Sequence, residues 1–131
     1  MIERVYETVI YAEDIQTAAS FYVDALGLRL VEEPDELLAS FRLPDRGLLL
    51  VFDPRVAAQP GRMVPSHGTT GAGHVAFAVG RGSLDDWAER LGERGIEIEQ
   101  AVDWDAGGRS LYLRDPAGNS VELVDRDIWP A

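Results

Sequence analysis

The chain has 131 residues, 46% of them hydrophobic, and its 23 acidic against 12 basic side chains give a net charge of −11. That apolar share supports a folded core and argues against disorder, while the acidic balance argues against nucleic acid as a partner, because phosphate binding asks for a basic surface. The absence of cysteine excludes disulfides, thiolate zinc sites and cysteine nucleophiles. No apolar run reaches the roughly 18 residues of a membrane span, and Met1-Ile2-Glu3-Arg4 lacks a signal-peptide pattern, so the expected location is cytoplasmic by default.

Val5 to Tyr11 is β-branched and aromatic and reads as a strand. Asp14 can cap a helix running to about Leu26, with Ile15, Ala18, Ala19, Tyr22 and Leu26 at helical spacing and Gly27 as its stop. Strands are expected at Leu28 to Glu32, Leu37 to Leu43 and Leu48 to Asp53, separated by turns at Glu33-Pro34-Asp35 and Pro44-Asp45-Arg46-Gly47. A long connection rich in proline and glycine, 54–72, follows. The second half begins with a strand at 73–79 and a helix from Ser83, where Ser83 and Asp86 resemble a capping box. Leu84, Trp87, Ala88 and Leu91 make its buried stripe, and Gly95 ends it. Strands at Ile96 to Val102, Arg109 to Arg114 and Ser120 to Asp125 complete the set, the last two joined by the turn Asp115-Pro116-Ala117-Gly118-Asn119.

The order strand-helix-strand-strand-strand therefore occurs twice. Glu7 and His74 hold the same place in their strands, and Leu50 lies opposite Glu122 when the last strands of the two halves are superposed. The fold class expected is α+β: two βαβββ modules, each too small to close a core alone, forming an open, mostly antiparallel, barrel-like sheet with helices outside and a cleft inside. The modules span about 5–53 and 73–125, joined by the 54–72 linker in a single domain.

The strand Gly73 to Val79 carries Val75, Phe77 and Val79 on one face and His74, Ala76 and Ala78 on the other. Bulky residues suit a helix cover; an imidazole followed by two small residues suits the wall of a cavity. Glu122 sits mid-strand between apolar neighbours, and two readings stand for it: a solvent-facing carboxylate, or one of three metal-capable residues, with Glu7 and His74, at equivalent strand positions. One imidazole and two carboxylates suit Mn, Fe, Ni, Co or Zn as a divalent ion, with positions left for water and substrate.

The segments Phe21-Tyr22-Val23-Asp24-Ala25-Leu26-Gly27-Leu28, Gly73-His74-Val75-Ala76-Phe77 and Arg109 to Leu123, with the duplicated layout, resemble the vicinal oxygen chelate superfamily. That superfamily includes glyoxalase I, extradiol dioxygenases, methylmalonyl-CoA epimerase, fosfomycin-modifying enzymes and bleomycin-binding proteins. The resemblance places the family's metal ligands on Glu7, His74 and Glu122 and its fourth on Leu50, which cannot bind. It implies a homodimer and a metal-dependent lyase, isomerase or dioxygenase acting on a small substrate through two adjacent oxygens. The alternative it implies is a non-catalytic protein that sequesters an antibiotic or other drug, which the acidic balance suits.

Smaller signals join these. His67, in the linker, is either an exposed loop histidine or a residue that closes over the cleft as a general acid or base beside Glu122. Arg109 and Tyr112 are either sheet-surface residues or substrate contacts, Trp104 a stacking surface or a lid, and Phe52 and Phe41 candidates for an apolar wall.

Overall fold

The computed structural model describes residues 1–131. The first half contains β1 (Glu7–Tyr11), α1 (Ile15–Asp24), β2 (Arg29–Leu30), β3 (Leu38–Arg42) and β4 (Leu48–Phe52). A short helix, α2 (Pro54–Ala57), opens the linker. The second half contains β5 (His74–Ala78), α3 (Leu84–Glu93), β6 (Gln100–Asp103), β7 (Arg109–Arg114) and β8 (Ser120–Val124). The two βαβββ modules expected from the duplication are both present. Their strands form two open four-stranded sheets, ordered β1-β4-β3-β2 and β5-β8-β7-β6, rather than one ladder running through both modules. Each sheet has one parallel pairing and two antiparallel ones.

The duplication extends to register. Glu7 stands opposite Leu48 in β1–β4 and His74 opposite Ser120 in β5–β8, so Leu50 is the counterpart of Glu122. Because side chains alternate across a strand, each sheet has two faces of different fate. Ile10, Phe41, Leu49 and Val51 on one sheet, and Leu111, Leu113, Val121 and Leu123 on the other, meet Tyr22 of α1 and Leu84 and Leu91 of α3 in one core cluster of 18 buried residues. Each such side chain contributes about 1.5–3 kcal/mol on burial. Phe41 is thus core between sheet and helix, not an apolar wall of a cleft. The opposite face of the first sheet holds Leu50, Phe52, Val9 and Tyr11 with Ala57 of α2. On the opposite face of the second sheet, His74, Ala76 and Ala78 are all exposed.

Local chemistry explains where the elements begin and end. Asp14 accepts a hydrogen bond from the Thr17 N–H and caps α1, as expected. Ser83 forms no capping box: its hydroxyl donates to the Gly80 carbonyl, and its φ of −91° and ψ of −1° are already helical. β2 and β6 are shorter than their apolar patterns suggest. The Ile96 N–H turns back to the Leu91 carbonyl to finish α3, so Ile96 and Ile98 pack on the core before the ladder starts at Gln100. Within the linker, Asp53 accepts the Arg55 N–H and Pro54 takes the first helical position, the pairing that starts α2.

One polar network joins the modules. The Tyr22 hydroxyl donates to Asp115 Oδ2 at 2.7 Å, and the Asn119 amide donates both to Asp115 Oδ2 and to the Tyr11 carbonyl, at 2.9 Å each. Asp115 Oδ1 accepts the N–H groups of Ala117 and Asn119, and Asn119 Oδ1 accepts that of Gly73. Burial, followed by the Asp115 charge, pushes the Tyr22 hydroxyl far above the ordinary phenol range. The network fixes the last residue of β1 against the start of β5 and β8. No helix is long and apolar enough to cross a membrane.

Candidate metal centre

β8 carries Glu122 between Ala76 of β5 and Tyr112 of β7, while His74 opens β5 on the same face. Glu122 is 6% exposed. Its Oε2 accepts a hydrogen bond of 2.6 Å from the Ser110 hydroxyl, and its Oε1 lies 3.3 Å from His74 Nε2. The Trp104 indole N–H donates to Ser110 Oγ at 2.9 Å, so Trp104 buttresses the hydroxyl that orients the carboxylate. Tyr112 lies alongside, its ring 6.3 Å from that of His74 and tilted by 21°. Burial first, and the Glu122 charge second, raise the Tyr112 hydroxyl above its usual range and keep it a proton donor at neutral pH.

The imidazole has a defined orientation. His74 Nδ1 is 3.1 Å from the Ser120 carbonyl, which can only accept, so Nδ1 carries a hydrogen, and Nε2 faces Glu122 Oε1 either as the second donor of an imidazolium or with the lone pair of a neutral ring. A lone pair and a carboxylate oxygen facing each other repel unless a proton or a cation lies between them. Two donors about 2.1 Å from one ion and at about 100° to each other stand roughly 3.2 Å apart. The observed 3.3 Å separation fits that geometry, and a histidine whose second nitrogen is tied to a carbonyl is the usual form of a metal ligand. The pair is therefore chemically suited to a divalent ion.

Within one chain the pair has no third partner. No group of three histidine, cysteine or acidic side chains is close enough to hold an ion. Glu7 is exposed at the opposite end of β1 from Tyr11, and Tyr11 and His74 border the same small cavity of about 140 Å³. At about 3.3 Å per residue, the Glu7 backbone stands about 13 Å beyond Tyr11. The expected gathering of Glu7, His74 and Glu122 by one chain is thus corrected. The Tyr22–Asp115–Asn119 network docks the wrong end of β1 beside His74.

The remaining candidates separate by module. His67 lies on the first module, with Nδ1 2.7 Å from the Tyr11 hydroxyl and its ring edge-on to Phe52 at 4.7 Å. Its backbone N–H donates to Ala57, and Gly68 packs so closely that a Cβ there would lie 2.7 Å from the Pro54 carbonyl. Arg109 is on the helix side of β7, three residues from Tyr112, and pairs with Asp85 of α3 at 2.9 Å and Asp103 at 3.6 Å. Hydrogen bonding to Asp85 raises its guanidinium further above its usual range. Arg109 is thus committed to α3 and stands away from the Glu122 face. Ser110, bonded to Glu122, and Tyr11, bonded to His67, are neighbours of the candidate residues that reading by residue type missed; strand alternation with Tyr112 and Glu122 was the signal for Ser110.

The sequence profile of the Glyoxalase/Bleomycin resistance protein/Dioxygenase superfamily matches residues 4–123. The chain belongs to that superfamily. A crystal structure of lactoylglutathione lyase from Agrobacterium tumefaciens superposes with a TM-score of 0.92 at 34% identity, covering 99% of this chain and 98% of that one. Among curated superfamily relatives, the putative ring-cleaving dioxygenase MhqE of Bacillus subtilis (strain 168) is 32% identical over 106 residues, 75% of this chain and 34% of that protein. Biphenyl-2,3-diol 1,2-dioxygenase 3 of Rhodococcus globerulus is 30% identical over 129 residues, 97% of this chain and 66% of that protein. The chain thus spans about a third of the first dioxygenase and just under two thirds of the second.

Proposed function

We propose that the chain is a metal-dependent enzyme of lyase, isomerase or dioxygenase type, acting on a small substrate through two adjacent oxygens. The observation that carries this is the His74 Nε2–Glu122 Oε1 pair, 3.3 Å apart, with the imidazole oriented by the contact of Nδ1 with the Ser120 carbonyl. When bound, a divalent ion supplies positive charge against the anion that develops on the substrate oxygens. The chain's own residues do the rest. Glu122 and His74 hold the ion, Ser110 and Trp104 keep the carboxylate in place, and the Tyr112 hydroxyl donates to a substrate oxygen. Glu122 is the candidate to move a proton at that site.

Glu7 completes the ligand set from a second copy of the chain. Glu7 occupies on its module the position His74 occupies on the other, and both side chains stand on open faces. A homodimer that sets the first module of one copy against the second module of the other would bring the partner's Glu7 to the His74–Glu122 pair. The same pairing would place the partner's Phe52 and His67 along the substrate, with His67 held by Tyr11 and available as a second acid or base.

Metal analysis of protein purified without chelator, with calorimetric titration of Mn, Fe, Ni, Co and Zn, tests the reading. The wild type should bind an ion, and Glu122→Ala and Glu7→Ala should each lose it. Mixing those two variants should restore roughly one site in four, because a mixed dimer keeps one intact composite site. A protein that takes up no ion, or is indifferent to Glu122→Ala, would defeat the enzymatic reading and leave sequestration of a small molecule in its place.

A further inference from the structure

His74 is the first residue of β5, and β5 is an edge strand paired only with β8. Its side chain is half exposed. The end of an edge strand frays unless the residue before it is fastened as well. Three contacts do that here, and all come from Asn119 and Ser120. Asn119 Oδ1 accepts the Gly73 N–H at 2.8 Å, and the Ser120 N–H donates to the Gly73 carbonyl at 2.9 Å. The Ser120 carbonyl in turn lies 3.1 Å from His74 Nδ1.

The Asn119 amide has no freedom in this arrangement. It is 2% exposed, and its partners fix which way it points. The Gly73 N–H can only donate, so the amide oxygen faces β5; the Tyr11 carbonyl can only accept, so the nitrogen faces β1. The other amide hydrogen goes to Asp115 Oδ2. A carboxamide supplies the acceptor for one strand and the donor for the other, which neither a carboxylate nor an apolar side chain can do. Gly73 fits the same account. Its φ is not positive, so the backbone there does not demand glycine. A Cβ at 73, however, would stand 3.3 Å from Asn119 Oδ1, tighter than an ordinary contact and against an atom that is tied in place.

The group against Nδ1 is a backbone carbonyl, which no substitution of Ser120 removes. Where that carbonyl stands relative to the ring depends on how Ser120 docks on Gly73, and Asn119 sets that docking. We propose that Asn119 is a positioning residue, which holds Gly73 against Ser120 and so aims His74 Nε2 at Glu122 Oε1. Groups that orient a metal-binding histidine from behind typically set about 10–100-fold of its affinity for the ion. That consequence rests on reading His74 and Glu122 as ligands; the order of the ring can be read without any ion.

Carbon-13 relaxation of the His74 ring in the full chain, in chelator, is the first test. The wild-type ring should be as ordered as rigid backbone, with an order parameter of about 0.85, and in Asn119→Ala it should fall below about 0.6. Gly73→Ala presses on Asn119 Oδ1 and leaves Tyr22 and Asp115 in place, so it should loosen the ring in the same direction, and it decides the matter if Asn119→Ala does not fold. Tyr22→Phe is the control: it removes a bond from the same network without touching Gly73, and should lower the melting temperature while the ring stays ordered. Titration with Mn, Fe, Ni, Co and Zn is the second test. Asn119→Ala should bind roughly tenfold more weakly than the wild type or worse, and Tyr22→Phe should bind like the wild type. The proposal is overturned if the wild-type ring is already mobile, if it keeps its order in the folded variants at 119 and 73, or if Tyr22→Phe loosens it as much, which would make Asn119 a part of the fold and nothing more. A wild type with an ordered ring that takes up none of the ions defeats the metal-centre reading and leaves this one standing.

Discussion

Replacing Ser110 with alanine isolates the support of the candidate metal centre. Ser110 is fully buried, and its hydroxyl donates 2.6 Å to a carboxylate that is itself 6% exposed. A hydrogen bond to a charged group contributes about 1.5–3 kcal/mol, and the upper part of that range applies because water has little access to replace it. The Trp104 indole loses its acceptor too, but it is half-buried and water can substitute. Taking about 2–3 kcal/mol, and an unfolding entropy of about 2.1 cal/mol/K per residue over 131 residues, the melting temperature should fall by about 7–11 °C. Differential scanning calorimetry in chelator reads this without any contribution from bound ions. The decisive measurement is the double-mutant cycle with Glu122→Gln. If the loss arises from the Ser110–Glu122 contact, Ser110→Ala should cost at least about 1 kcal/mol less in the Glu122→Gln background. A cycle that closes additively, or a single variant melting within about 2 °C of the wild type, would refute the argument.

Three further outcomes follow from the same geometry. Tyr22→Phe should lower stability by about 1.5–3 kcal/mol in denaturant unfolding, because Asp115 then keeps three of its four donors in a buried site. Spectrophotometric titration should find Tyr112 ionising above the ordinary phenol range, and Glu122→Gln should bring it down, though only partway, since burial is the larger cause. Asp53 and Asp125 both titrate below the usual carboxylate range, through the side-chain hydrogen bond of Arg55 and the Arg109 N–H respectively. A depressed folded-state pKa adds stability that is present above the unfolded value of about 3.9 and disappears as pH falls through the folded one. Acid unfolding should therefore steepen below about pH 4, and Asp53→Asn/Asp125→Asn should flatten it.

The shared face of His74, Tyr112 and Glu122 was legible in the chain, and the lapses elsewhere have physical causes. Arg109 and Tyr112 differ by three positions, so in a regular strand they must face opposite ways; pairing them as substrate contacts ignored the alternation that set His74, Tyr112 and Glu122 on one face. The helix Pro54–Ala57 announced itself through an aspartate cap and a proline at its first position, but four residues are too few for a hydrophobic period to register. Ile96 and Ile98 are apolar because they pack on the core, and apolar packing alone does not make a ladder.

The sequence by itself determined the module. Alternation set which face of each strand is buried, the repeated order set the strand pairing, and together they placed His74, Tyr112 and Glu122 on one surface. Only the tertiary structure decided how the modules meet. A duplication specifies two like units but not which end of one abuts which end of the other; that choice belongs to the shared helical core and to Tyr22, Asp115 and Asn119. Because those contacts set Tyr11 beside His74, a single chain brings together His74 and Glu122 alone, and Glu7 is left exposed at the far end of β1.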